Sequence, residues 1–194
     1  MSDASLETRA KILSVARTRF ATKGYHGTSV DSIVKGTGLS KGAIYWHFSG
    51  KWDIYQAVLN AEAERIKDLI LPRDATNMDV PAFLSDRGKL LIDEMTADME
   101  CRLLWIRIGL ESIGDNPEIK GLIFSLSNAL VSDVVAILGK KWNNEGENLS
   151  LRGIIAMFEF VMHGIMLNIG VSVSAEEAKQ SWDFLVRRMF GGKN

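Results

Sequence analysis

The stretch that most restricts this chain is Thr28 to Lys51, T-S-V-D-S-I-V-K-G-T-G-L-S-K-G-A-I-Y-W-H-F-S-G-K. It carries two short helix patterns separated by glycines, with an aromatic and basic exit. Thr28 is an N-cap type of residue with Asp31 three positions on, so a first helix can open there with its leading N–H groups satisfied. Val30, Ile33 and Val34 supply that helix's inward face. Gly36 and Gly38 bracket Thr37 and predict a stop, because glycine gains little from continuing a helix. Leu39 plugs the corner, Ser40 caps a second helix, and Ala43, Ile44 and Phe48 give it one apolar side. Two helices joined by such a turn form a helix-turn-helix, although the pattern taken alone also fits an ordinary packed pair.

The second helix has the residue types that DNA recognition requires. In a helix-turn-helix its N-terminal residues meet base edges, while flanking hydroxyls and cations hold phosphates. Lys41 is placed for the groove, and Gly42 and Ala43 lack the bulk that would keep the helix away from the bases. Tyr45, His47 and Lys51 are the candidates for phosphate oxygens, helped by backbone N–H donors at the helix starts near Thr28 and Lys51, with Ser29 and Trp46 beside them.

The run G-Y-H-G-T-S-V-D-S-I-V-K-G-T-G-L-S-K-G-A-I-Y-W-H-F-S-G-K, Gly24 to Lys51, closely resembles the DNA-binding signature of the tetracycline-repressor (TetR) family of bacterial regulators. Its G-A-I-Y-W-H-F segment is most similar to the branch of multidrug-efflux (AcrR-like) repressors. The resemblance implies a supporting helix over Leu6 to Lys23, a second over Ser29 to Lys35, and a recognition helix over Ser40 to Trp46. It makes Thr28, Tyr45, His47 and Lys51 phosphate contacts, and Ser40, Lys41, Gly42 and Ala43 base-proximal. Trp52 departs from the pattern and is expected to pack beside the recognition helix. The motif covers the first quarter of the chain.

Charge follows the same division. Residues 1–51 hold eight Lys or Arg against three acids, about +5, and residues 52–194 hold fifteen against twenty-one, about −6. A basic end on an acidic remainder suits a polyanion at one end. The single Cys101 excludes an intramolecular disulfide and a four-cysteine zinc site, and fits a reducing cytoplasm. Met1 to Leu6 is too polar for a signal peptide, and no stretch is expected to span a membrane, because Glu159, His163 and Asn168 interrupt the longest apolar run.

Periodicity predicts an all-α chain of about nine helices, with no competing strand pattern. The helix from Lys51 to Leu71 is a connector, Pro72 ends it, and Arg73 to Val80 is the best boundary, dividing a DNA-binding domain (1–51) from an effector-binding and dimerisation domain (72–194). Further helices are expected over Ala82–Asp98, Cys101–Ile113, Pro117–Trp142, Leu151–Val171 and, after a Ser174 to Glu177 capping box, to Phe190 before Gly191.

The helix over Leu151–Val171 is apolar on nearly its whole circumference, so it must be covered on more than one side. With the last helix it offers Phe158, Ile165, Trp182, Leu185 and Met189 as a homodimer interface, and TetR-like proteins usually dimerise through a four-helix bundle of this kind. A twofold dimer would set two recognition helices about 34 Å apart on an operator. Met95, Met99, Trp105, Ile108, Phe124, Met157, Phe160 and His163 are candidates to line an apolar or aromatic effector site. Arg102, Arg107, Glu111 and Glu159 are polar candidates for the same site, or surface charges. Three scattered histidines and one cysteine offer no metal-ligand spacing, and no phosphate loop or nucleophile motif is present, so neither an enzyme nor a cofactor is expected. The reading is a repressor of double-stranded operator DNA controlled by a small molecule. A DNA-binding protein controlled by a protein partner, or by no ligand, stays open.

Overall fold

The computed structural model describes residues 3–71, 78–139 and 150–190. Among them are nine helices: α1 (Asp3–Lys23), α2 (Val30–Thr37), α3 (Lys41–His47), α4 (Lys51–Ile70), α5 (Val80–Ala97), α6 (Met99–Ser112), α7 (Pro117–Leu138), α8 (Leu151–Asn168) and α9 (Ala175–Phe190). No strand occurs among the described residues, only an isolated bridge between Ile169 and Val173. Most of the expected linker, the end of the helix expected near Trp142, the loop before Ser150 and Gly191 lie outside the described residues.

Local chemistry explains where these helices begin. The Asp79 carboxylate accepts the Ala82 N–H, the Ser150 hydroxyl accepts that of Gly153, and Asn116 Oδ1 accepts those of Glu118 and Ile119. The Ser174 box forms as expected, with Glu177 N–H donating to the Ser174 hydroxyl and Ser174 N–H to the Glu177 carboxylate.

The residues gather into two compact units. One, the head, joins Met1–Glu64 to Met99–Ile123; the other, the body, joins Arg65–Asp98 to Phe124–Asn194. These units are discontinuous in sequence, unlike the linear division expected at the linker: α6 groups with α1, α2, α3 and most of α4. The head core includes Ile12, Phe20, Ile33, Ile44, Ile54, Tyr55 and Leu104, all essentially inaccessible. The body core gathers Ile92, Ile154, Phe158, Met162, Ile169, Ala178, Trp182 and Val186 from α5, α8, α9 and the turn after α8.

In the body, α5 and α9 approach closely at Gly88. A β-carbon there would overlap the Trp182 indole, whose Nε1–H donates to the Leu84 carbonyl at 2.9 Å. Asp183, the next residue, accepts from Lys89 Nζ at 2.8 Å, from Ser85 Oγ and from Arg187 Nε at 2.6 Å.

Two described helices, α7 and α8, are long and apolar enough to cross a membrane, contrary to the expectation that no stretch qualifies. Isolated polar residues such as Glu159 and His163 are too few to bring the mean hydropathy of α8 below that of a span. In α8 the apolar excess has a second outlet, because Phe158 and Met162 enter the body core while Phe160 and Leu167 face outward.

Candidate nucleic-acid interface

The short α3 projects from a support whose caps are local. Ser40 accepts the Ala43 N–H at 3.1 Å, and the Phe48 N–H closes the other end on the Ile44 carbonyl at 3.0 Å. Ile44 and Phe48 are buried, which leaves Lys41, Gly42, Tyr45 and Trp46 exposed, Trp46 to 70%. Ala43 and His47 are half-buried, and the His47 ring meets Trp46 edge-on at 4.5 Å. Of the ten residues expected at the DNA, Ser40, Lys41, Gly42, Tyr45 and Trp46 are thus the exposed ones on α3 and its cap.

The two glycines before α3 have different tasks. Gly38 is left-handed, with φ of 66°, and its N–H closes α2 on the Val34 carbonyl at 3.0 Å. Gly36 is helical, correcting the expectation that it helps to stop α2. A β-carbon at Gly36 would come within 2.5 Å of Val15 Cγ1, so the glycine permits α2 to approach α1.

Thr28 is corrected as well. It is 3% exposed, and its hydroxyl donates inward to the Gly24 carbonyl at 2.8 Å and meets that of Arg19 at 3.2 Å. The N-cap of α2 is the exposed Ser29, in a reciprocal box with Ser32 rather than with Asp31. Asp31 instead pairs with Lys41, Oδ1 to Nζ, at 2.8 Å. That hydrogen bond is the first cause of a raised Lys41 pKa, so the ammonium stays charged.

Lys51 reaches inward too. Its Nζ donates to the Tyr25 carbonyl at 2.9 Å and lies 4.2 Å from the Tyr25 ring centroid, a cation–π contact. Trp52 packs against Tyr25 and Tyr55. Tyr25 is thus held from several sides, and its N–H donates to Glu111 Oε1 of α6 at 2.6 Å.

Glu111 also accepts from the Tyr55 hydroxyl; burial first, and then this hydrogen bond, push the phenol far above its ordinary pKa. Further along α6, Glu100 accepts from Arg17 at 3.2 Å and from Thr18 at 2.9 Å, while Arg17 Nε donates to the buried Glu62 at 2.8 Å. From the sequence, Glu111 is expected as a surface charge or ligand contact. Its partners lie more than 50 residues away, so no local pattern marks it.

The residues expected at an effector site do not share one environment. Met95 and Ile108 are buried, Met99, Phe124, Met157, Phe160 and His163 are exposed, and Trp105 is half-buried. A groove of about 510 Å³ along α1 and α4 is lined by Arg9, Asp53, Gln56, Asn60 and Glu64, none of them in that set. Of the residues expected at a dimer interface, Phe158 and Trp182 are corrected: at 9% and 5% exposure they belong to the body's own core. Ile165, Leu185 and Met189 pack at its margin.

Residues 12–58 match the model of the bacterial regulatory proteins, tetR family. The transcriptional regulator AcrR of Shigella flexneri is 33% identical over 102 residues, 53% of this chain and 47% of that protein. TtgR of Pseudomonas putida is 28% identical over 172 residues, 80% of this chain and 77% of TtgR. Matches to SrpR and TtgW of the same species cover 25% and 40% of those proteins. The chain thus spans half or less of the length of several curated relatives that it matches. Among solved structures, Salmonella enterica GusR superposes with a TM-score of 0.81 at 20% identity over 99% of both chains. A Saccharomonospora viridis protein solved in complex with choline gives 0.73 at 20% identity, over 93% of this chain and 96% of that one. The curated relatives are named as transcriptional regulators, not enzymes.

Proposed function

We propose that this chain is a TetR-family transcriptional regulator with AcrR-like relatives, a repressor that binds a pseudo-palindromic operator as a homodimer and leaves it when a small apolar or aromatic effector binds. The observation that carries the reading is the surface of α3, where Lys41, Tyr45 and Trp46 are exposed around Gly42 on a helix anchored by Ile44. Lys41 is assigned to a base edge; Tyr45, His47 and Ser29 are assigned to phosphates. Residues 1–51 are the DNA-binding part, α4 the connector, and residues 72–194 the part that binds effector and partner copy. We assign the protein to the cytoplasm, where operator DNA lies.

The dimer surface is assigned to the outward faces of α8 and α9. Gly153, Phe160 and Leu167 recur every seven residues along α8, and Phe184 is exposed on α9. Such a seam suits helix pairing with a second copy. The effector reading is supported by Trp105, whose indole nitrogen is buried with no hydrogen-bond partner among the described residues. The protein solved with choline is a further support, as a neighbour in fold that takes a small organic ligand.

Release requires the effector to favour one of two states, by about 1–3 kcal/mol of coupling. The bonds of Glu100 and Glu111 support α6 as a route within the head, since they tie it to α1, to the turn at Tyr25 and to Tyr55.

Selection of duplexes from a random pool by the full chain tests the DNA reading. An inverted repeat is the expected product; salt-sensitive binding with no enriched sequence would refute it. A panel of apolar and aromatic compounds titrated against the selected duplex tests the effector arm, which fails if none weakens binding by about fivefold.

A further inference from the structure

We propose that Asp31 sets the base discrimination of Lys41 and holds down the affinity of the head for DNA of arbitrary sequence. This rests on the DNA-binding reading above and adds a specificity-determining residue that lies outside the recognition helix. Asp31 is in the first turn of α2, and Lys41 is the first residue of α3. Their side chains meet at 2.8 Å although they remain 74% and 56% exposed, so burial does not force the contact.

The cap of α2 does not use the carboxylate. An acid in the first turn gains a modest, screened attraction to the helix dipole, and the leading N–H groups are already closed reciprocally by Ser29 and Ser32. In the sequence Asp31 is also the only acid between Glu7 and Asp53, a stretch that carries all eight cations of residues 1–51. An acid in such a stretch weakens attraction to every phosphate, so its presence calls for a compensating role.

Lysine supplies the reason. Its ammonium is a compact charge with three donors on a flexible stem, and unrestrained it meets a phosphate as readily as a base. Bonded to Asp31, the Lys41 ammonium has one donor occupied and two directed from a fixed point. Adjacent acceptors such as guanine O6 and N7 in the major groove suit those two donors. Where the base offers no such acceptors, Asp31 faces the DNA with its charge poorly compensated. The same carboxylate therefore penalises wrong sequences more than the right one, which is how specificity arises from repulsion.

The test uses the full chain, the duplex that the unsubstituted protein enriches, and the base pair at which Lys41→Ala loses preference. Asp31→Asn is expected to bind arbitrary duplex more tightly, with the log–log salt slope steeper by about one. Preference at the informative base pair is expected to fall by about tenfold. In a Lys41→Ala background the same change should cost no further preference. Asp31→Glu, which keeps the charge, should restore weak binding to arbitrary DNA. If Asp31→Asn melts the head, Asp31→Ser provides the same readout, since serine is well accepted near a helix start. Unchanged preference at that base pair in Asp31→Asn would overturn the inference, as would an equal loss with and without Lys41, or a Lys41→Ala variant that alters no single base pair. If the unsubstituted chain enriches no sequence, the DNA reading itself fails, and this inference with it.

Discussion

The head and the body both leave large side chains in solvent, but of different kinds. In the head the exposed rings of Tyr45 and Trp46 stand beside Lys41 and the small Gly42, on a helix of seven residues. In the body Phe124, Phe160, Leu167 and Phe184 are exposed on three helices, and the cation recorded over one of those rings is Arg188, beside Phe184. Rings interleaved with cations and small residues suit a charged, flat-edged partner such as DNA. Long apolar faces suit another apolar face. The difference teaches that the head carries a core of its own and exposes rings beside a cation, whereas in the body α8 has one side in the core and the other in solvent.

That contrast can be broken most forcefully at Trp182. Trp182→Ala should cost the body about 3–5 kcal/mol in urea unfolding, because it empties the centre of a shared α5, α8 and α9 core. A loss below about 1 kcal/mol would mean that this core is not what holds the body together. Phe160→Glu, two residues from the buried Phe158, is the opposite case. Folding stability of a single chain should change by no more than about 0.5 kcal/mol, while self-association weakens by at least about 2 kcal/mol in sedimentation. A smaller effect is expected at Tyr55→Phe, which deprives Glu111 of a buried donor and should cost the head about 1–3 kcal/mol without altering self-association.

The mildest expectation concerns acid. Lys89 first, then Ser85 and Arg187, hold the Asp183 carboxyl far below the usual carboxylate range. Its contribution is therefore fully present above the ordinary aspartate pKa and is lost as pH falls through the lower folded value. Asp183→Asn should flatten the acid limb of the body's unfolding profile and leave that of the head unchanged. An unaltered acid limb would show that other carboxylates govern it.

What could be read from the sequence was what neighbours along the chain decide. The Ser174 to Glu177 box, the Ser40 cap, the left-handed Gly38 and the helix-period cores of α1 and α4 are each set within a few residues. Thr28 and Ser29 show the limit, because both suit an N-cap and only the carbonyls at the end of α1 draw the Thr28 hydroxyl inward. In α8 the apolar residues surround the helix, so periodicity could not choose between Phe158 and Phe160. Packing against Trp182, whose ring centroid is 5.0 Å from that of Phe158, makes the choice. The grouping of α6 with the head was hidden for the same reason. Glu100 and Glu111 look like solvated charges until Arg17, Thr18, Tyr25 and Tyr55 are brought to them.

The central claim is that a head complete in one chain is used in pairs because the body is half of a helical bundle. The mass of the complex with the selected duplex, measured by sedimentation for the unsubstituted chain and for Phe160→Glu, tests it most directly. Chains in pairs on one inverted repeat, reduced by Phe160→Glu to single chains of much weaker affinity, is the predicted result. One chain per duplex at full affinity, or pairs undisturbed by Phe160→Glu, would contradict the account.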